Sequence, residues 1–262
     1  MSGIRPDRTF SIGSIREYIE VLDNLRVEHD RTGCGHPTTF RGQRRWRTLL
    51  PSLTRKGGPA YQVEEDKILR VERKLLDEFM RRLGRQQRPT SDYWDAAIRG
   101  QHHRLPTRLL DWTELPLVGL FFAVEGEPEK NDDAQEKHDD GKVPDSVVIG
   151  THGNRLFTHE LDEKVGANLW SLREAGPFFF IPNYLDDRIF PQRSVLSVWR
   201  DPAQPFENVS RDVWRFDVAA DRRIAIQREL SRFGITQETL FPGLDGAAAY
   251  LQWKAVDERW GT

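Results

Sequence analysis

Between Gln101 and Thr113 the chain reads QHHRLPTRLLDWT, and this run gathers most of the side chains able to do chemistry: Gln101, His102, His103, Thr107, Arg108, Asp111, Trp112 and Thr113. Imidazoles donate or accept, and a guanidinium presents a planar fork of donors matched to phosphate. A carboxylate can hold an arginine or a hydroxyl, and an indole offers a face for a base to stack on. Adjacent histidines diverge on any regular element, so His102 and His103 are poor joint ligands for one metal. His36, His152 and His159 complete no recognised ligand spacing, and no metal site is expected. The run reads as polar recognition of a ligand. The plainer alternative pairs Arg108 with Asp111 and sends Trp112 into the core, leaving Gln101, both histidines and both threonines unexplained.

Two further motifs add to it. TTFRGQ puts Arg41 at a strand end beside Gly42 and Gln43, where a glycine would let the backbone come close to a ligand. The alternative there is an arginine paired with a carboxylate. YLDDRIFPQRSVLSVW places Arg188 and Gln192 before an apolar strand. An amide at that point can bond ligand hydroxyls but cannot act as a general base. There is no glycine-rich phosphate loop, no GxSxG elbow, and no helix-turn-helix, zinc-finger or RNA-binding sheet pattern.

The elements that must position these residues can be read from periodicity. SIREYIEVLDNLRVE predicts an amphipathic helix with Ser14 as N-cap and Glu17 completing a capping box. A second helix is expected from about Gln62 to Leu83, and a third over SDYWDAAIRGQHH, capped by Ser91 and closing near Gly100. LPLVGLFFAVE predicts a buried helix from Pro116 to Glu125, with a buried strand as competitor. Residues 126–144 read as a charged mobile loop. DSVVIGTH, RSVLSVWR and VWRFDVA predict strands, RRIAIQRELSRFGI a helix, and TLFPGLDGAAAYLQWK a turn and a last helix. Helices and strands intermix without βαβ alternation, which indicates α+β.

Composition narrows the class of protein. With 262 residues, 37% hydrophobic and 31% charged, one domain spanning 1–262 with a real core is expected. The net charge of −2 favours no partner overall, although FRGQRRWR and RRLGRQQR are locally basic and NDDAQEKHDD is acidic. Cys34 is the single cysteine, so no internal disulfide can form. The absence of a signal-like leader or a membrane-length apolar stretch points to a cytoplasmic protein with no membrane partner.

Together and in this order, FRGQ, LLPSLTR, QHHRLPTRLLDWT, PLVGLFFA, RIFPQRSVL and TLFPGLDG resemble the FRG domain, a family named for the residues seen here as Phe40, Arg41 and Gly42. Two positions depart from its usual pattern. Arg104 stands where glycine is usual after the histidine pair, and Ser194 where glycine is usual two residues after Gln192. The family in turn resembles the ADP-ribosyltransferase fold, which implies a central split antiparallel sheet with flanking helices and NAD as substrate, with no metal. By that resemblance Arg41, Thr113 and Gln192 carry catalysis. Arg41, Gly42, Gln43, Gln101, His102, His103, Thr107, Arg108, Asp111 and Trp112 hold the NAD. The implied reaction moves ADP-ribose to an RNA, DNA or protein acceptor, as a toxin or phage-defence effector would, with an antitoxin as a possible partner. Because Gln192 cannot activate an acceptor, either the acceptor is already nucleophilic, Glu72 or Asp111 assists, or the site binds without catalysis. An NAD glycohydrolase and a non-catalytic nucleotide-binding module are the other readings of the same residues.

Overall fold

A computed structural model describes residues 8–33, 35–83, 90–126, 146–153, 155–157, 169–170, 172, 176–182, 189–210 and 212–260. Cys34, His159, Arg188 and the segment 127–144 of the expected mobile loop lie outside them. In chain order the elements are β1 (Thr9–Ile12), α1 (Ile15–Thr32), β2 (Thr39–Gln43), α2 (Glu65–Leu83), α3 (Tyr93–His102), β3 (Leu110–Thr113) and α4 (Pro116–Val124). They continue with β4 (Ser146–Thr151), β5 (Arg155–Phe157), β6 (Phe178–Ile181), β7 (Ser194–Val198), β8 (Val213–Val218), α5 (Arg223–Arg232) and α6 (Leu244–Asp257). One-turn helices occupy Ile189–Gln192, Phe206–Val209 and Gln237–Leu240.

The strands form one eight-stranded sheet in the order β1-β8-β4-β2-β3-β7-β6-β5. The inner pairs are antiparallel, while β1 runs parallel to β8 and β5 parallel to β6. The α+β class is therefore observed, with parallel pairing confined to the two edges. In-register neighbours fix which side each residue faces. Phe40, Val148 and Phe216 lie on the side covered by α1, α4 and α5, where Tyr18, Leu120 and Ile226 are also buried. Arg41 pairs with Ile149 and Gln43 with Val147, so both belong to the opposite side. There Trp112, Val195 and Phe179 pack under Leu49, Trp199 and Phe206. A third cluster joins α2 and α3 to β6 and β7 through Leu76, Trp94, Phe180 and Leu196. Among the described residues, no helix is long and apolar enough to cross a membrane.

Local signals explain most boundaries, and the exceptions have causes. Ser14 caps α1 by accepting from Glu17 N, but the Glu17 carboxylate bonds Gly13 N (2.7 Å), one residue outside the expected capping box. α2 begins at Glu65, three residues later than expected. α3 is capped by Asp92, whose carboxylate accepts from Trp94 N at 2.8 Å, not by Ser91. It also runs past Gly100 to His102. The chain then reverses in a Schellman motif, with Leu105 N donating to Gly100 O (2.8 Å) and Arg104 N to Gln101 O (3.0 Å). The left-handed residue of that motif is Arg104, at φ +64°. This accounts for the usual glycine there, since a side chain in that conformation is strained. β1, β5 and β6 were not anticipated.

The C-terminal turn of α1 and the chain ends flanking β2 and β4 bring three imidazoles together. Ring centroids lie 4.5 Å apart for His29 and His36, and 5.7 Å apart for His36 and His152. His36 Nδ1 is buried without a hydrogen-bond partner. Burial, followed by His29 and His152, holds the His36 pKa below its ordinary value. Arg26 adds to this and Asp30 opposes it.

Two outcomes follow from these features. Arg104→Gly should stabilise the fold by about 0.5–1 kcal/mol, as relief of the left-handed strain exceeds the added chain entropy, and a thermal melt should show a rise of a few degrees. In the unfolded chain His36 binds a proton near pH 6.5, whereas the folded form resists it, so stability should fall as pH drops below about 6.5. Thermal midpoints of wild type and His36→Gln between pH 7.5 and 5 should converge as the pH falls. Parallel curves would remove His36 as the cause.

Candidate functional site

β2 and β3 share one register pair, Phe40 with Thr113. Beyond it β2 continues with β4 and β3 with β7, so the sheet parts at its middle. Arg41 sits at the parting. Its Nη1 donates to Asp111 O at 2.7 Å, so a side chain bridges the strands where the backbone ladder ends, and it lies 4.0 Å from Asp111 Oδ2. The side chain is 19% exposed, and its buried Nε has no hydrogen-bond partner. Burial pulls the guanidinium pKa below its ordinary value. Asp111 opposes the shift and Arg55 adds to it.

A cleft of about 400 Å³ opens at this point, a volume suited to a nucleotide-sized ligand. Arg41, Arg44, Arg45, Arg47 and Arg55 line it, against the two carboxylates of Asp111 and Glu125. Gly42, Gln43, Trp112, Thr113 and Gln192 complete much of the wall. Gln43 Oε1 accepts from Arg47 N at 3.2 Å, which holds the basic segment after β2. Thr113 Oγ1 donates to Gln192 O at 2.6 Å, locking β3 to the helical turn ahead of β7. The Gln192 amide donates to Leu240 O at 2.8 Å. A second cavity, of about 570 Å³, lies between the end of α4, α5 and α6, where Phe121, Tyr250 and Trp253 line it, and it shares Glu125 with the cleft.

Several sequence-derived assignments need correction. Gly42, although it lines the cleft, is already required by packing: a Cβ there would stand 2.2 Å from Gly119 O and 2.3 Å from Ala123 N. The Trp112 indole is in the core at 4% exposure, donating to Ser197 Oγ (2.8 Å) and packed on Phe206 and Phe179, so it offers a ligand no stacking face. Arg108 is 1% exposed and pairs with Glu72, itself 0% exposed, at 2.6 and 2.7 Å. That pair removes both from the cleft and rules out Glu72 as an assistant to the acceptor. Thr107 is buried and bonds Gln101 Oε1, Leu109 N and Ser52 Oγ. Gln101 Nε2 holds Asp111 Oδ2 at 2.8 Å, so it positions a cleft residue without lining the cleft itself. His102 and His103 form an edge-on pair at 5.0 Å, with His103 near Phe79 at 6.3 Å, outside the cleft lining.

Glu125 is the site residue that sequence reasoning missed. It follows the last turn of α4, and its carboxyl accepts from Gln237 Nε2. Burial raises its pKa, while Arg44 and the Gln237 bond partly offset the rise. Its backbone is clamped by the buried Arg223, whose Nη2 bonds the carbonyls of Val124, Glu125 and Gly126 at 3.3–3.4 Å. Arg223 Nη1 reaches Arg44 O (3.1 Å) and Ser146 Oγ (2.7 Å), tying the exit of β2 to the start of β4.

Residues 36–133 match the family model of the FRG domain. The matched segment runs from just before β2 to just past α4, and so contains Arg41, Asp111, Thr113 and Glu125 but not Gln192. The chain matches no curated protein and no solved structure.

If Arg108 serves the scaffold, breaking its partner should cost stability. Glu72→Gln should destabilise the protein by about 3 kcal/mol or more, because it leaves a buried guanidinium without its counter-charge. Denaturant unfolding measures this, and a loss under about 1 kcal/mol would mean that Arg108 has another partner.

Proposed function

We propose that the cleft binds NAD and that the protein is an ADP-ribosyltransferase-like enzyme, transferring ADP-ribose to a nucleic acid or protein acceptor. The observation that carries the reading is Arg41: a side chain only 19% exposed at the parting of β2 and β3, whose buried Nε has no partner. A desolvated donor without a partner is costly, and a phosphate or ribose oxygen would satisfy it. The parted sheet, antiparallel at its centre, also fits the fold that the resemblance implies.

The roles fall to the chain's own residues. Arg41 grips a pyrophosphate or ribose oxygen, with Asp111 O fixing one side of its fork. Arg55 and its neighbours on the basic segment give the cleft the positive potential that draws in an anion. Thr113 joins the two walls through Gln192 O. Bound NAD supplies the reactive glycosidic bond, whose cleavage builds positive charge on the ribose, and the cleft orients it and limits water. Gln192 contributes to the wall; one N–H of its amide donates to Leu240 O, and its second N–H and Oε1 remain to meet a ribose hydroxyl.

Calorimetry with NAD, together with nicotinamide release assayed with and without lysate, tests the reading. Arg41→Ala should weaken NAD binding about 10- to 100-fold while leaving the thermal midpoint within a few degrees. Release that needs lysate supports transfer, and release in buffer alone makes water the acceptor. NAD binding without release leaves a binding module, and no NAD binding by the wild type overturns the proposal.

A further inference from the structure

We propose that Glu125 is the general base of the cleft, the group that takes the acceptor's proton during transfer; this rests on the NAD reading above. Elimination and geometry lead to the same residue. Gln192 has no basic atom. Glu72 is sealed in its ion pair with Arg108. Asp111 is 60% exposed on its side chain and stands 4.0 Å from the Arg41 guanidinium, facing the cation that grips the ligand. Among the described residues, Glu125 is the other carboxylate lining the cleft, in the same 400 Å³ space as Arg41, Thr113 and Gln192. Gln237 bonds Oε2, which orients the carboxyl and leaves Oε1 to receive a proton.

The surroundings suit the role. A general base works best when its proton affinity lies nearer the working pH than a water-exposed carboxylate's does, and burial shifts Glu125 in that direction. Arg44 and the Gln237 bond work against the rise. Arg223 acts as a positioning residue: by bonding three successive carbonyls around Glu125 it holds the backbone that carries the base.

The step balances without another reagent. A lone pair on the acceptor oxygen or nitrogen forms the bond to C1′ of the nicotinamide-bearing ribose. The C1′–N bond breaks, and its electron pair goes to nicotinamide, which leaves neutral. The acceptor's proton passes to Glu125 Oε1 and then to solvent.

Glu125→Gln is the decisive variant, because its amide oxygen can still accept from Gln237 Nε2 and so keep the local structure. We expect it to bind NAD within about twofold of wild type, to lose transfer about 100-fold or more, and to lose the rise of rate with pH on the acid side. Glu125→Asp should recover part of the rate and the rising limb, since it restores a carboxylate at a shorter reach. A wild type that consumes NAD beside a Glu125→Gln protein with equal rate and the same pH profile would overturn the base and leave the NAD reading standing. Loss of NAD affinity in Glu125→Gln would make Glu125 a binding residue and equally overturn its role. A wild type that binds no NAD would overturn both.

Discussion

Where α4 crosses β2, backbone meets backbone, and the arrangement of the cleft depends on that contact. Gly42 admits Gly119 O and Ala123 N to distances no Cβ would tolerate, and a Cβ on Gly119 would stand 2.8 Å from Phe40 Cβ. The helix therefore lies at closest approach to the strand, and Phe40 is buried beneath it. With that side of β2 committed to packing, alternation sends Arg41 and Gln43 to the other side, toward the cleft. Beyond that contact α4 ends at Val124, and Phe122 and Glu125 enter the cleft wall. A larger residue at position 42 or 119 would push the helix outward and move both walls at once.

The polar run ahead of this helix is mostly scaffolding. Between α3 and β3 the chain dives into the interior without regular structure, so its backbone groups need partners from side chains. Glu72 supplies several at once, accepting from Arg108 N (3.2 Å), the Arg108 guanidinium and the Trp170 indole (3.0 Å). Thr107 does the same for its neighbours, through Leu109 N, Ser52 Oγ and Gln101. A buried ion pair of this kind often gives no more stability than an apolar replacement of equal volume. It does discriminate strongly against other registers, because a one-residue slip would strand charges in the core. Past Arg104, Asp111 is the one residue of the run that emerges exposed, and Gln101 steadies it beside Arg41.

What could be read from the sequence follows from how far apart the partners lie along the chain. α1, α4, β4, β7 and β8 carry their own signals in caps, the Pro116 start and β-branched runs. β1 was not legible, because four residues, TFSI, become a strand only through pairing with β8 some two hundred positions later. β6, FFFI, is too short and too uniformly apolar to tell strand from helix. Trp112 and Asp111 were both legible as chemistry-bearing, but which one faces solvent depends on pairing with Val195 and Leu196 of β7. Glu125 gave no local signal at all. It looks like the polar end of an apolar helix, and the partners that hold it, Gln237 and Arg223, lie about a hundred residues away.

The electrostatics of the cleft show how site and fold constrain each other. Arg55 and Arg41 share one small space, and the lowered pKa of Arg41 records both its desolvation and the push from its neighbour. Asp111 and Glu125 temper this but do not balance five arginines. Holding like charges together in partly dry surroundings works against folding, and a sequence selected for stability alone would replace them. An anion entering the cleft reverses the sign of that contribution. It satisfies Arg41 Nε, screens Arg41 from Arg55, and binds the folded state in preference to the unfolded one, so occupancy and stability rise together. Glu125 is subject to the opposite pull. An anion close to its carboxyl strengthens its hold on a proton, so the occupant of the cleft and the charge on Glu125 are coupled.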